Sequence, residues 1–324
     1  MVVTGYGEPL EQADMPEPEL RPGTARLQIL TCGVCFSDVK TARGKMPYSD
    51  ELALPHVCGH EICARVLETD PAGAFERGTV VVVYHVWPCR RCDRCRAGDE
   101  QLCRSPTAWT GFTHPGGFQE QLVAPLDRLT VVPDGIDPVH AAPLTCALGT
   151  AYRAVLTRGG VTAGTNAVVI GLGGVGVHAL QIAHAVGARA TGVDVSARAL
   201  EVARGLGLRV GEPPSEVDVV VDTVGTPATI TQAEQLVRPG GRIVAVGYGV
   251  GRSIELPSAR FVLEEVEVVG SRYVARDELE RAIRLVADGR VQTVVDRVLP
   301  LERADEAFAA LEAGEVVGRV VLQL

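Results

Sequence analysis

Six residues near the middle of the chain, Gly171-Leu172-Gly173-Gly174-Val175-Gly176, follow an apolar run from Ala167 to Ile170 and precede a helical pattern that reaches about Val186. A strand, a turn matching G-x-G-x-x-G and a helix leave few folds open. The glycines let the backbone approach a pyrophosphate, which then sits at the helix N-terminus. An isolated match of this motif says little; its place between a strand and a helix is the context the motif needs. The next strand, Arg189 to Asp194, ends on a carboxylate eighteen residues after Gly176. A carboxylate there binds the adenosine ribose hydroxyls and repels a 2′-phosphate, which points to NAD rather than NADP.

The rest of the second half agrees with this frame. From about Ala147, helical patterns alternate with short apolar strands, among them Val217 to Asp222 and Arg242 to Val246, as in a parallel α/β sheet. Amphipathic helices are expected over Leu279 to Gly289 and Ala304 to Ala313. The first half differs: β-rich runs at Ala25–Thr31, Glu61–Glu68 and Thr79–Trp87, punctuated by glycine and proline, suggest a compact, partly open β-barrel-like domain. A length of 324 residues suits two domains, and 46% apolar residues suffice for sizeable cores.

The net charge of −9 argues against a nucleic-acid partner, which needs a basic face. Met1 to Glu11 has neither the basic start nor the apolar core of a secretory signal. The longest apolar stretch, near Ala167 to Val186, is broken by glycines and does not read as a membrane span. The expectation is a soluble cytoplasmic protein. Four of the nine cysteines, Cys89, Cys92, Cys95 and Cys103, fall within fifteen residues, and without a secretory signal such a cluster reads as metal ligands before disulfides.

Cys89-x2-Cys92-x2-Cys95-x7-Cys103 suits tetrahedral zinc, with one tight loop supplying three thiolates and the fourth closing over the top. Four thiolates leave no open position, so this site is structural. Arg90, Arg91 and Arg94 lie between the ligands and are expected to offset the thiolate charge and depress the thiol pKa values.

A second constellation is scattered. Cys35 lies in Cys32-Gly33-Val34-Cys35-Phe36-Ser37-Asp38, His60 in Gly59-His60-Glu61, and Cys146 in Pro143-Leu144-Thr145-Cys146-Ala147. Singly, a histidine is more often structural and a cysteine a small core residue. Together, one imidazole and two thiolates with a free fourth position form a catalytic zinc arrangement. Zinc in an open site lowers the pKa of a bound hydroxyl, and an alcohol that has lost its hydroxyl proton is a good hydride donor. Asp38 is placed to fix the tautomer of His60, and Ser37 to take the alcohol proton.

With these motifs in view, the chain resembles the zinc-containing alcohol dehydrogenases of the medium-chain dehydrogenase/reductase superfamily. Gly33-Val34-Cys35, Gly59-His60-Glu61, the four-cysteine lobe, the Ala142-Pro143-Leu144-x-Cys146-Ala147-x-x-Thr150-x-Tyr152 segment and Gly171 to Gly176 occur in family order over nearly the whole chain. The resemblance implies an α/β fold: a GroES-like β-rich catalytic domain (1–147), a Rossmann doubly wound parallel sheet binding NAD (148–267) and a return to the first domain (268–324). It implies Cys35, His60 and Cys146 as catalytic zinc ligands, Glu61 as a carboxylate that approaches the metal during ligand exchange, and Ser37 as the start of a proton relay. Thr150 is implied beside the nicotinamide, and Arg319 in Gly318-Arg319-Val320 at the pyrophosphate.

The chain also departs from the family pattern. Phe36 replaces a histidine or arginine common between the zinc cysteine and the relay hydroxyl. Lys40 stands where some members have a relay histidine, so the proton leaves through Lys40 or directly from the ribose. His85 and Trp87 fall where relatives place pocket side chains. The stretch from Gly207 to Glu216, with Pro213-Pro214, is too short for the usual third strand and helix, so a trimmed sheet edge is expected.

The function expected is zinc-dependent hydride transfer between an alcohol, primary or aromatic/allylic, and NAD. Two zinc ions per chain, a small alcohol or aldehyde substrate and a homodimer or homotetramer complete the expectation, and the strand Val266 to Gly270 is a candidate for pairing with a second copy. A polyol or amino-alcohol dehydrogenase is one competing reading, though polyol-type relatives tend to carry a glutamate near the Cys146 segment. A non-catalytic protein that keeps NAD and zinc is another.

Overall fold

The computed structural model describes residues 1–324, with every side chain except that of Glu51. The chain forms two compact units. One comprises Met1–Cys146, Ala275–Glu280 and Val295–Leu324; the other comprises Ala147–Val274 and Arg281–Val294.

The first unit holds β1 (Thr24–Val34), β2 (Glu61–Asp70), β3 (Val80–Val83), β4 (Val86–Trp87), β5 (Ala108–Trp109), β6 (Gln121–Pro125), β7 (Leu129–Val131) and, from the chain's end, β13 (Val295–Pro300) and β14 (Arg319–Gln323). Its main sheet runs β13-β14-β1-β2-β3-β7, with β6 also on β1, while β4 and β5 pair only with each other. β1 is antiparallel to both β2 and β14, with Gly33 opposite Glu61 on one side and Val321 on the other. The end of β1 therefore lies beside the beginnings of β2 and β14, and that edge carries the site. Leu27, Ile29, Ile62, Val66, Phe118 and Phe308 fill the core beneath.

The expected strand over Thr79–Trp87 is two strands. The chain leaves the main sheet at Tyr84, whose N–H donates to the Arg128 carbonyl at 2.7 Å, and restarts as β4.

The second unit holds β8 (Asn166–Ile170), β9 (Arg189–Val193), β10 (Val217–Asp222), β11 (Val237–Ala245) and β12 (Glu267–Gly270) in the order β12-β11-β10-β8-β9. Every pairing in it is parallel. The order reverses at β8, between β9 and β10, which is the topological switch point at which such sheets bind nucleotides. Apolar residues of β8, β10 and β11, among them Val168, Val220 and Ile243, form its core.

The trimmed edge is present. Gly207 to Glu216 forms no helix, and its sheet contact is one parallel bridge between Val210 and Gly192. The return to the first unit comes at Ala275 rather than at 268, and Arg281–Val294 goes back to the second unit. Two links explain this. Gln181, on the helix Gly176–Ala185, exchanges hydrogen bonds with the backbone of Gln292 at 3.0 Å each. His178, one turn earlier, accepts from the Val294 N–H at 3.0 Å. Among the described residues, no helix is long and apolar enough to cross a membrane.

Candidate catalytic and metal centres

The scattered residues meet because of the strand arrangement. β1 ends at Val34, and Cys35 caps the helix Phe36–Ala42. His60 immediately precedes β2, Glu61 is its first residue, and Cys146 follows the turn Ala142–Leu144. One ligand atom from each of Cys35, His60, Glu61 and Cys146 lies within 4.8 Å of the others. Gly59 makes the approach possible: its φ is 99°, and a Cβ there would lie 2.6 Å from the Phe118 ring.

Asp38 organises the cluster. Its Oδ1 is 2.9 Å from His60 Nδ1 and accepts the Gly59 N–H at 3.1 Å, while its Oδ2 accepts the Cys35 N–H at 2.8 Å. With Nδ1 donating to a buried carboxylate, Nε2 of His60 presents its lone pair. Ser37 sits half-buried in the first turn of the same helix. The Nζ of Lys40 lies 5.7 Å from the centroid of the Phe36 ring one turn earlier.

The electrostatics suit a cation. The hydrogen bond with Cys146 holds the Cys35 thiol well below its ordinary range, with burial opposing and the charges of Arg319 and His60 assisting. The same hydrogen bond, together with burial, pushes Cys146 well above it. Two such sulfurs ionise together only beside a positive charge, and a divalent metal bound by one nitrogen and two sulfurs supplies it. Burial pushes Glu61 up to about 7 against the pull of Arg319, and its Oε2 has no hydrogen-bond partner among the described residues.

Arg319, expected at a pyrophosphate, lies beside Glu61 and Cys35. Its Nε donates to Glu61 Oε1 at 2.8 Å, and its Nη2 lies 3.8 Å from Cys35 Sγ. The guanidinium expected at a pyrophosphate is thus buried against the ligand cluster, because β14 begins beside the end of β1.

The four cysteines of the lobe also converge. Cys92 caps the short helix Asp93–Arg96, which carries Cys95, and Cys103 ends the turn Glu100–Leu102. Cys95 Sγ is 3.9 Å from Cys89 Sγ and 3.4 Å from Cys92 Sγ. A tetrahedron of sulfurs around zinc has edges of about 3.8 Å, so the donors fit. Backbone amides, rather than the intervening arginine side chains, lower two of the thiols. Those of Arg104 and Cys95 bring Cys92 down to about 6, and those of Arg91 and Cys92 lower Cys89. The Arg90 guanidinium instead pairs with Asp127 at 2.6 Å.

In the second unit the glycine turn has the geometry its sequence implied. A Cβ on Gly176 would lie 1.7 Å from the Gly171 carbonyl oxygen, whereas one on Gly173 would meet nothing within 4 Å. Gly176, the last glycine of the motif, is required for close packing of the helix on the turn, and Gly173, the second, leaves the backbone open to a phosphate. Val175 caps the ten-residue helix Gly176–Ala185, and Gly174 lies in the turn before it. Asp194 follows β9; its Oδ2 accepts the Leu172 N–H at 2.5 Å and its Oδ1 the Ser196 N–H at 2.7 Å. These bonds hold the carboxylate beside the turn while leaving further lone pairs for a ribose. Thr150 is buried on the helix Ala147–Tyr152.

Of the aromatic residues around His60, sequence reasoning named His85 but overlooked Phe112 and Trp109. Phe112 lies 4.6 Å from the His60 ring, His85 lies 5.2 Å away and nearly perpendicular, and Trp109 is 5.7 Å from His85. Trp87 is directed elsewhere, 4.4 Å from His114, with its indole N–H on Thr110. The usable signal was the pair Trp109 and Phe112, just beyond the last lobe cysteine.

Comparison with known proteins adds independent findings. Residues 21–134 match the model of the alcohol dehydrogenase GroES-like domain, and residues 193–322 match that of the zinc-binding dehydrogenases. An alcohol dehydrogenase of Geobacillus stearothermophilus is 32% identical over 100% of this chain and 98% of its own length. An NAD-dependent alcohol dehydrogenase of Sulfurisphaera tokodaii is 33% identical over 99% of each chain. A solved structure described as an NAD-dependent alcohol dehydrogenase superposes with a TM-score of 0.91 at 30% identity, covering 100% of this chain and 98% of that one.

Proposed function

The chain belongs to the zinc-binding alcohol dehydrogenases, and from that premise we propose that it transfers a hydride between an alcohol and NAD, with two zinc ions per chain. The observation that carries this reading is the convergence of Cys35, His60 and Cys146, with His60 Nδ1 fixed by Asp38.

Those three side chains would hold the catalytic ion, which in an open site supplies Lewis acidity, acidifying an alcohol hydroxyl or polarising a carbonyl. The other residues serve that chemistry. Asp38 keeps Nε2 of His60 directed to the ion. Ser37 takes the alcohol proton, and Lys40 on the same helix is the candidate to pass it outward. With NAD bound, the nicotinamide would accept the hydrogen of the alcohol carbon with both its electrons as the proton leaves, leaving the carbonyl product. Glu61, with one buried oxygen free of hydrogen bonds, would be a further carboxylate ligand available to the ion. Arg319 balances the charge of Glu61 and Cys35.

In the second unit, Gly171, Gly173, Gly174, Val175 and Gly176 hold the pyrophosphate. Asp194 takes the ribose hydroxyls and selects NAD over NADP, and Thr150 flanks the nicotinamide. Cys89, Cys92, Cys95 and Cys103 hold the structural ion. The aromatic set of His85, Trp109 and Phe112 supports a primary, aromatic or allylic alcohol over a polyol. The open edge strand β12 supports pairing with a second copy as a homodimer or homotetramer.

The test is zinc analysis of protein purified without chelators, followed by a panel of ethanol, benzyl alcohol, cinnamyl alcohol and sorbitol with NAD and NADP. Zinc in the protein and NADH formed from the first three support the reading. Absence of zinc or of NADH overturns it, and a preference for sorbitol overturns the substrate class.

A further inference from the structure

The four-cysteine lobe is the loop of a hairpin whose stem packs on the candidate catalytic histidine. The stem consists of β4 and β5, two residues each, with Val86 opposite Trp109 and Trp87 opposite Ala108. Three more bonds tie it: Thr107 N–H to the Trp87 carbonyl at 2.8 Å, Thr110 N–H to the His85 carbonyl at 2.9 Å, and the Trp87 indole N–H to Thr110 Oγ1 at 3.0 Å. A two-stranded ribbon this short is not stable by itself. The residues that close it are the cysteines. Cys89 lies two positions after Trp87, Cys103 lies five before Ala108, and the Cys89 N–H donates to Cys103 Sγ at 3.2 Å at the root of the stem. Buried Arg128 binds both parts, donating to Glu100 of the lobe at 2.6 Å and to the Val86 carbonyl of the stem at 3.3 Å.

The other end of the stem presents His85 and Trp109. The His85 ring stands edge-on to His60 at 5.2 Å, with Trp109 behind it at 5.7 Å. Asp38 fixes which nitrogen of His60 is protonated; one hydrogen bond at one nitrogen does not fix the tilt of the ring. Two ring contacts bear on that tilt, His85 at 5.2 Å and Phe112 at 4.6 Å, and His85 is the one the stem carries.

We propose that the lobe acts on the catalytic cluster through this stem, with His85 and Trp109 as positioning residues that set the tilt of His60. The inference rests on the lobe being a metal site, as in the reading above. Metal in the lobe cross-links the root of the hairpin, holds β4 against β5 and keeps His85 on His60. Without that cross-link the stem loosens, and the ligand set of Cys35, His60 and Cys146 loses its preset geometry.

The chain contains two tryptophans, Trp87 and Trp109, so tryptophan emission, excited at the red edge where tyrosine does not absorb, reports on the stem alone. In a full-length Trp87→Phe background, Cys103→Ser should shift Trp109 emission to the red. Cobalt binding by Cys35, His60 and Cys146, followed by its thiolate absorption bands in protein from which only the catalytic ion has been withdrawn and the lobe ion retained where the lobe can hold it, should weaken about tenfold or more. His85→Ala, with the lobe intact, should reproduce the loss of cobalt affinity, and His85→Phe should restore most of it. Unchanged Trp109 emission in Cys103→Ser overturns the proposal, as does unchanged cobalt affinity in His85→Ala. If Cys103→Ser does not fold, the His85 pair decides. Neither readout needs turnover, so a failure to form NADH and a failure of this coupling are separate results.

Discussion

Asp38 Oδ1 lies 2.9 Å from Nδ1 of His60, with both side chains buried. A carboxylate bound to the far nitrogen of a metal-ligating imidazole fixes its tautomer and raises its basicity. Asp38 also holds the Cys35 and Gly59 amides, so one side chain orders two ligand-bearing segments. Asp38→Asn should weaken catalytic-zinc affinity about 10- to 100-fold, read by competition with a chromogenic chelator. An affinity equal to that of the parent would show that Asp38 does not orient the ligand.

Gly176→Ala places a Cβ 1.7 Å from the Gly171 carbonyl oxygen. The glycine turn must distort, and NAD binding should be lost while zinc content stays at the parental level. Calorimetric titration with NAD and metal analysis of the same sample check both halves.

Asp194 accepts amide protons from Leu172 and Ser196 beside the glycine turn. Asp194→Gly should raise the KM for NAD about tenfold, equivalent to about 1.4 kcal/mol, and should narrow the preference for NAD over NADP. Steady-state kinetics with both cofactors measure the ratio; a preference that stays constant removes Asp194 from cofactor selection.

Cys92→Ser opens the lobe. Zinc content should fall by one ion per chain, and the thermal midpoint should drop because metal that binds only the folded state stabilises it. A midpoint equal to that of the parent would contradict a structural role.

His56 is buried, its Nε2 bonded to the Gly111 carbonyl at 3.2 Å, and burial lowers its pKa from the ordinary 6.5. The unfolded chain takes up this proton first. The contribution of His56 to stability is therefore complete above pH 6.5 and falls as pH drops from 6.5 through the lowered value. His56→Gln should flatten that part of a plot of urea midpoint against pH, and an unaltered slope would place the dependence elsewhere.

Legibility in the sequence followed the reach of each interaction. The lobe was readable because its four ligands come from one loop and their spacing alone suits a tetrahedron. The partner of Arg319 was not, because Glu61 is 258 residues away and meets it only where β14 and β2 flank β1. Trp109 and Phe112 went unassigned for a similar reason: nothing in their local sequence says that the hairpin folds back onto His60. The charge compensation expected of Arg90, Arg91 and Arg94 came instead from backbone amides, whose directions a sequence does not display.

By itself the sequence determined the parallel sheet with its glycine turn, the cysteine lobe, the shortened edge after Gly207 and, through family order, the three candidate ligands that converge. These depend on local spacing, on periodicity and on residue types that little else can replace. The tertiary structure alone decided that Arg319 answers Glu61, that Asp38 also holds the Cys35 and Gly59 amides, and that the lobe's stem rests on the His60 ring. Those contacts join segments far apart in the chain, and their geometry exists only once antiparallel strands have brought the ends of β1, β2 and β14 to one edge.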